Sequence, residues 1–212
     1  MSRETLSREK VLDAALRLAD QNGLGGLSMR KLATELGVEA MSLYNHVRNK
    51  RDLLDGIAAR VLESIPLPDA KLSWENRLRE LAYTTFAAFN AHPAVAQALA
   101  AGEVKPLSRG ALRLIDAMVG AFLDAGLTEP HAVRGYRSML GMVFGAVLVG
   151  SSAPGGQPAA KPVEWFQRNV SAKDLPHLHR VLPDLVEVDC AQDFEFQLEL
   201  FLNGLANSGT CS

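Results

Sequence analysis

Apolar positions recur at helical spacing along almost the whole chain. Val11, Leu12, Ala15, Leu16, Leu18 and Ala19 form the i, i+3, i+4, i+7 stripe by which one helix face meets a core, and Asn22-Gly23 ends it. Ser28 is placed to cap a second, short helix that carries Leu32, Ala33 and Leu36 and stops at Gly37. A third helix is expected over about Glu39 to His46. Asn49 caps a fourth, with Asp52 at the N3 position of a capping-box-like pair, and it runs through Leu53, Leu54, Ile57, Ala58 and Val61 before Pro66 and Pro68. Ser73-Trp74 opens a helix through Phe89 that ends near His92-Pro93. Pro106 suits a first turn, Gly126 a helix end, and Thr128 caps a long helix reaching about Gly150 with Pro130 in its first turn. Residues 151–162 (SSAPGGQPAAKP) read as a loop. Helical pieces follow around Trp165-Phe166 and over Leu175 to Val181, and a last helix covers about Ala191 to Ala206. No stretch shows the period of two that a half-buried strand requires, so the expected fold class is all-α.

One segment stands apart. In Ser28 to Arg51, SMRKLATELGVEAMSLYNHVRNKR, the apolar residues Leu32, Leu36, Val38 and Leu43 turn two short helices onto each other. Ala33 is small where they cross, and Gly37 supplies the turn between them. This is the spacing of a helix-turn-helix, whose second helix projects its outer face into a DNA major groove. Between Met41 and Arg51 the chain has three basic residues and no acidic one. Asn49-Lys50-Arg51 also opens a helix whose N–H groups attract phosphate.

Charge sharpens this picture. The net charge of the 212 residues is −2, which argues against an indiscriminate binder of nucleic acid. Residues 1–60 hold 10 basic and 8 acidic groups, and the remainder 12 and 16, so the balance is +2 against −4. A local basic edge on an acidic body suits a molecule that docks one end on DNA. Cys190 and Cys211 are too far apart for a paired motif, and no cofactor or metal site is expected. The N-terminus is polar rather than a signal peptide, and the apolar run Met139 to Val149 is short for a span of about 20 residues. The expectation is a cytoplasmic protein with no membrane partner. No HExxH, P-loop, GxSxG or paired-carboxylate signature points to an enzyme.

The stretches GLSMRKLA from Gly26, LGVE from Leu36 and LYNHVRNKRDLLD from Leu43 resemble the DNA-binding region of the tetracycline-repressor (TetR) family, over about residues 6 to 62. The Ser73-Trp74 helix start and FEFQLELFLNGL from Phe194 are similar to its tetracycline-repressor subgroup. The resemblance implies a helix-turn-helix domain of three helices at 1–48, a linking helix at 49–66 and a larger ligand-binding and dimerisation domain at 67–212. Ser28, Arg30, Ala40, Met41, Ser42, Tyr44, Asn45, His46 and Lys50 would contact double-stranded DNA. Met41 suits a thymine methyl, and Lys50 a phosphate. The implied function is a homodimeric repressor on a palindromic operator, released by a small molecule.

In the family, two late helices from each subunit build the dimer interface. Here Gly141, Gly145, Phe194, Leu198, Phe201 and Leu202 are the candidates for it. Ligand-pocket candidates are Phe86, Phe89, Asn90, Met118, Phe122, Met139, Met142, Phe144, Trp165 and Phe166, with His92, Asp116, His131, Arg137 and Gln167 as further polar anchors. The tetracycline-binding members carry a histidine where this chain has Pro66, an asparagine near Leu81 and another histidine near Ala98-Leu99. The departures imply an apolar or aromatic effector rather than magnesium–tetracycline.

Overall fold

A computed structural model of the chain describes residues 6–105, 108–150, 162–185 and 189–208. Among the described residues every regular element is a helix: α1 (Arg8–Gly26), α2 (Met29–Leu36), α3 (Ala40–Leu43), α4 (Lys50–Glu63), α5 (Trp74–Ala91), α6 (Pro93–Ala100), α7 (Arg109–Asp124), α8 (Glu129–Gly150), α9 (Pro162–Asn169), α10 (Pro176–Leu185) and α11 (Cys190–Ser208).

Side-chain caps set the starts. Ser28 accepts from the Lys31 N–H, Asn49 from Asp52 and Ser73 from Asn76. Ser7 and Ser108 do the same for α1 and α7. Each satisfies an N–H that has no partner within its helix. Several boundaries differ from expectation. Gly23 breaks the helical path of α1 at φ 68°, as Asn22-Gly23 implied, but a further turn follows to Gly26. Regular α3 is only four residues long, and Tyr44 to His46 continue as a tight turn. Pro93, read as a stop, also starts a helix, because proline's missing N–H is harmless in a first turn. α10 runs past Val181 and contains Pro183. Pro106 and the 151–161 loop lie outside the described residues.

The packing is layered around α4. On one side α4 meets α1, which also holds α2, while α2 holds α3. On the other it meets α5, α6 and α7. α5, α7 and α8 pack mutually, and α11 lies on α8 and α5. One continuous buried cluster runs from Val11 through Leu53, Phe89 and Phe122 to Leu202. Gly110 lets α7 approach α4 closely, since a Cβ there would stand 2.2 Å from Glu63 Cγ. The 22-residue α8 is long and apolar enough to cross a membrane by composition alone, contrary to the shorter run read from the sequence. Its inner face, including Ala132, Gly135, Met139, Val143, Ala146 and Val147, is instead buried against α5, α6, α7 and α11.

The dimer candidates on α11 need correction. Phe194 and Leu198 are fully buried within this chain, and Leu202 nearly so. Phe194 stacks on Phe86 with centroids 4.4 Å apart and meets Tyr83 edge-on, while Phe201 meets Phe122. The 3.6-residue period placed these residues on one face but did not say whether that face met its own core or a partner. The outward face of α11 carries Phe196, 65% exposed, and Leu200, 59% exposed. Gly141 and Gly145 do lie on an open surface, with nothing near the position a Cβ would take.

Candidate DNA interface and ligand pocket

The segment expected to read DNA is built by local chemistry. Gly37 ends α2 in the left-handed conformation at φ 63°, and the Val38 N–H returns to the Ala33 carbonyl. That turn aims α3 across α2. Leu43 and Val47 are buried and anchor the segment from beneath. The opposite face is left to solvent: Met41 is 72% exposed, Tyr44 46%, and Asn45, Arg30, Lys31 and Lys50 are also exposed. Ser28, Ala40, Ser42 and His46 are half-buried at its margin. All nine expected contact residues therefore lie along one capped helix, a short recognition helix and the head of α4.

An ionic knot fixes this arrangement. Asp52 accepts both guanidinium nitrogens of Arg8, at 3.0 and 3.3 Å, and the Arg48 backbone N–H at 2.8 Å. Arg8 also donates to the His46 carbonyl at 2.6 Å. The starts of α1 and α4 are thereby tied to the end of the recognition turn. The Arg8 hydrogen bond, with help from the Arg48 N–H, holds the Asp52 carboxyl down at about 2. The capping-box expectation is thus half right: Asn49 caps α4, but the Asp52 carboxylate turns to Arg8 and Arg48.

On the far side of α4, a cavity of about 320 Å³ opens between α4, α5, α7 and α8. Leu62, Phe89, Leu99, Leu114, Ile115, Met118, Leu140 and Phe144 line it, with Ala111, Thr85, Tyr136 and Lys105. Its size falls at the lower end of the range of about 300–1,000 Å³ found for small-molecule sites. Thr85 is wholly buried, and its hydroxyl has no hydrogen-bond partner among the described residues. The neighbouring Thr84 hydroxyl donates back to the Glu80 carbonyl at 2.7 Å. Burial pushes the Tyr136 phenol above its ordinary pKa, so it stays neutral.

Of the pocket candidates, Phe89, Met118 and Phe144 line this cavity. Phe122 and Met139 are plain core, and Phe86 is occupied by its stack on Phe194. Met142 faces a groove between α8 and α11, Asn90 is exposed, and Trp165, 61% exposed, stands edge-on to Phe166 away from the cavity. His92 contacts Asp20 and His131 contacts Thr128, while Asp116 and Arg137 are exposed. The Gln167 side chain lies outside the described residues. The sequence reading missed Thr85, although a threonine on the buried stripe of Leu78, Leu81, Ala82 and Phe89 was a usable signal. Leu62, Lys105 and Tyr136 carried none, because only tertiary packing brings them together.

No carboxylate or imidazole lines the cavity, and among the described residues no group of three His, Cys, Asp or Glu could hold a metal ion. Leu81 and Ala98 are buried core, and Pro66 is exposed.

Residues 11–57 match the family described as bacterial regulatory proteins, tetR family, and residues 67–208 match the tetracyclin repressor-like C-terminal domain. The chain belongs to the TetR family. It is 49% identical over 77 residues to the class D tetracycline repressor of Escherichia coli, a match that spans 35% of each protein. With the E. coli class C repressor it shares 30% identity over 206 residues, 94% of this chain and 90% of that one. The solved structure of the TetR-family protein ActR of Streptomyces coelicolor in complex with actinorhodin superposes with a TM-score of 0.82 at 26% identity, covering 98% of this chain and all of that one.

Proposed function

We propose that this TetR-family regulator is a homodimeric, ligand-responsive repressor that binds a palindromic operator and is released by a small molecule. One observation carries the reading: α4 belongs to both functional regions. Its first turn, from Asn49 to Asp52, is knotted to the recognition turn, and Leu62 near its end forms a wall of the cavity. The backbone N–H of Lys105, at the cavity mouth, also donates to Asp55 of α4 at 2.8 Å. A ligand that favours one position of α4 changes how the recognition helix is presented, and weakens operator binding by its differential affinity for the two states. The same reading takes 1–48 as the DNA-binding domain, 49–66 as the linking helix and 67–212 as the ligand-binding and dimerisation domain.

The recognition face supports the assigned DNA roles: Met41 and Ala40 toward base edges, Arg30 toward a base or phosphate, and Ser28, Ser42, Tyr44, Asn45, His46 and Lys50 mainly toward the backbone. The second copy docks on the outward faces of α8 and α11, where Gly141, Gly145 and Val149 line a groove of about 260 Å³ with Asp193 and Gln197, and Phe196 and Leu200 are exposed on α11. Dimerisation spaces the two recognition helices for successive major grooves. Relatives of this chain are named regulators, and a cytoplasmic site of action with no catalytic role fits that company. The test is a gel shift on the DNA upstream of the protein's own coding sequence, with and without small-molecule extracts. A sequence-specific shift that Tyr44→Ala weakens and some extract abolishes supports the proposal. A shift insensitive to competitor sequence contradicts it.

A further inference from the structure

We propose that the ligand of the cavity is a small aromatic acid, with a hydroxyl or carbonyl on Thr85, its ring system against Phe89, Met118 and Phe144, and its anionic group at Lys105. The inference rests on the reading of this cavity as the ligand pocket and adds the chemical class. The wall is apolar almost throughout, and its few polar residues are Thr85, Tyr136 and Lys105. The Thr85 hydroxyl is the informative one. It is fully buried on the inner stripe of α5 and does not back-bond to its own helix as Thr84 does. Buried hydroxyls are nearly always paired, so one left open toward a cavity is reserved for a ligand group.

Lys105 supplies the second anchor. It borders both this cavity and the cleft that Arg8, Arg48, Arg51, Asp52 and Asp55 line nearer the start of α4. No acidic residue lines the cavity, and Lys105 is exposed, its side chain in none of the salt bridges among the described residues. Asp55, the acid nearest to it by hydrogen bonding, receives the Lys105 backbone N–H and faces Arg51 at 3.7 Å. An incoming carboxylate therefore meets the exposed Lys105 cation, and the one nearby acid, Asp55, is already engaged by the Lys105 N–H and by Arg51. It binds beside the hydrogen bond that ties the loop after α6 to α4, so occupancy bears directly on the helix that presents the DNA-reading turn.

The experiment uses the full chain and displacement of the neutral fluorescent dye N-phenyl-1-naphthylamine. Three competitors are compared: 6-hydroxy-2-naphthoate, 2-naphthoate lacking the hydroxyl, and 2-naphthol lacking the carboxylate. Wild type is expected to bind the hydroxynaphthoate about three- to tenfold more tightly than either of the others. Lys105→Met should erase the preference over 2-naphthol, and Thr85→Val the preference over 2-naphthoate. Thr85→Val should also hold or raise Tm, because it replaces an unpaired buried hydroxyl by a methyl; a purely structural hydroxyl would lower Tm when removed. Equal binding of all three competitors by wild type, or preferences that survive both substitutions while the dye still binds, would overturn the proposal. Failure of wild type to bind the dye would instead remove the pocket reading beneath it.

Discussion

The two functional regions treat polar groups in opposite ways. In the DNA-reading head, Ser28, Asn49, Asp52 and Arg8 pair with the chain itself and leave the outward face of Met41, Tyr44, Asn45 and Lys50 free. In the cavity, the Thr85 hydroxyl stays buried and unpaired within an apolar shell. The head's own hydrogen bonds and ion pair tie its turn to α1 and α4, and the side chains proposed to meet DNA face solvent. The proposed pocket instead holds an unpaired hydroxyl that a ligand group would satisfy. The proposed DNA-reading turn and the proposed pocket thus lie toward opposite ends of α4.

Substitutions that separate these regions test the contrast. The largest effect is expected from the outward face of α11. Leu200→Glu should leave the fold intact but split the dimer, which sedimentation would detect, and should lower operator affinity at least about a hundredfold through lost bivalency. Phe194→Ala should act differently, lowering stability by about 3–5 kcal/mol in chemical denaturation because it empties the intrachain core. A dimer lost by Phe194→Ala at unchanged stability would reverse the corrected assignment.

Next in size is the ionic knot. Asp52→Asn should cost about 1–3 kcal/mol of stability and weaken operator binding by loosening the recognition turn. Because the folded carboxyl lies at about 2, below its ordinary 3.8, its stabilisation is present above pH 4 and is lost as pH falls toward 2. Thermal melts across that window should show the wild type's advantage over Asp52→Asn shrinking to nothing; a constant advantage would detach the knot from the carboxylate. The smallest effects belong to single DNA contacts. Lys50→Ala should weaken binding to all sequences alike and reduce the slope of log affinity against log salt by about one. Met41→Ala should instead relax preference at one base pair, by about 1–3 kcal/mol in competition binding.

The same contrast explains what could be read from the sequence. The head was legible because its determinants are local: Ser28 and Asn49 as caps, Gly37 as the turn, and Leu32 and Leu43 within a dozen residues of each other. Arg8 and Asp52, 44 residues apart, left no periodic trace, so the knot was invisible. The cavity draws Leu62, Thr85, Lys105 and Tyr136 from separate elements, and a helical stripe names a buried face without naming what it meets. That limit put Phe122 and Met139 among pocket candidates and Phe194 and Leu198 at a dimer face, when all four fill the core of one chain.

The central claim, that a dimer reads a specific two-fold operator, is tested most directly by selection from randomised duplex DNA with the purified full chain. The account predicts enrichment of an inverted repeat whose half-sites lie about one helical turn, or a multiple of it, apart, with enrichment lost in Tyr44→Ala. Recovery of sequences with no shared inverted repeat, or equal recovery with Tyr44→Ala, would contradict it.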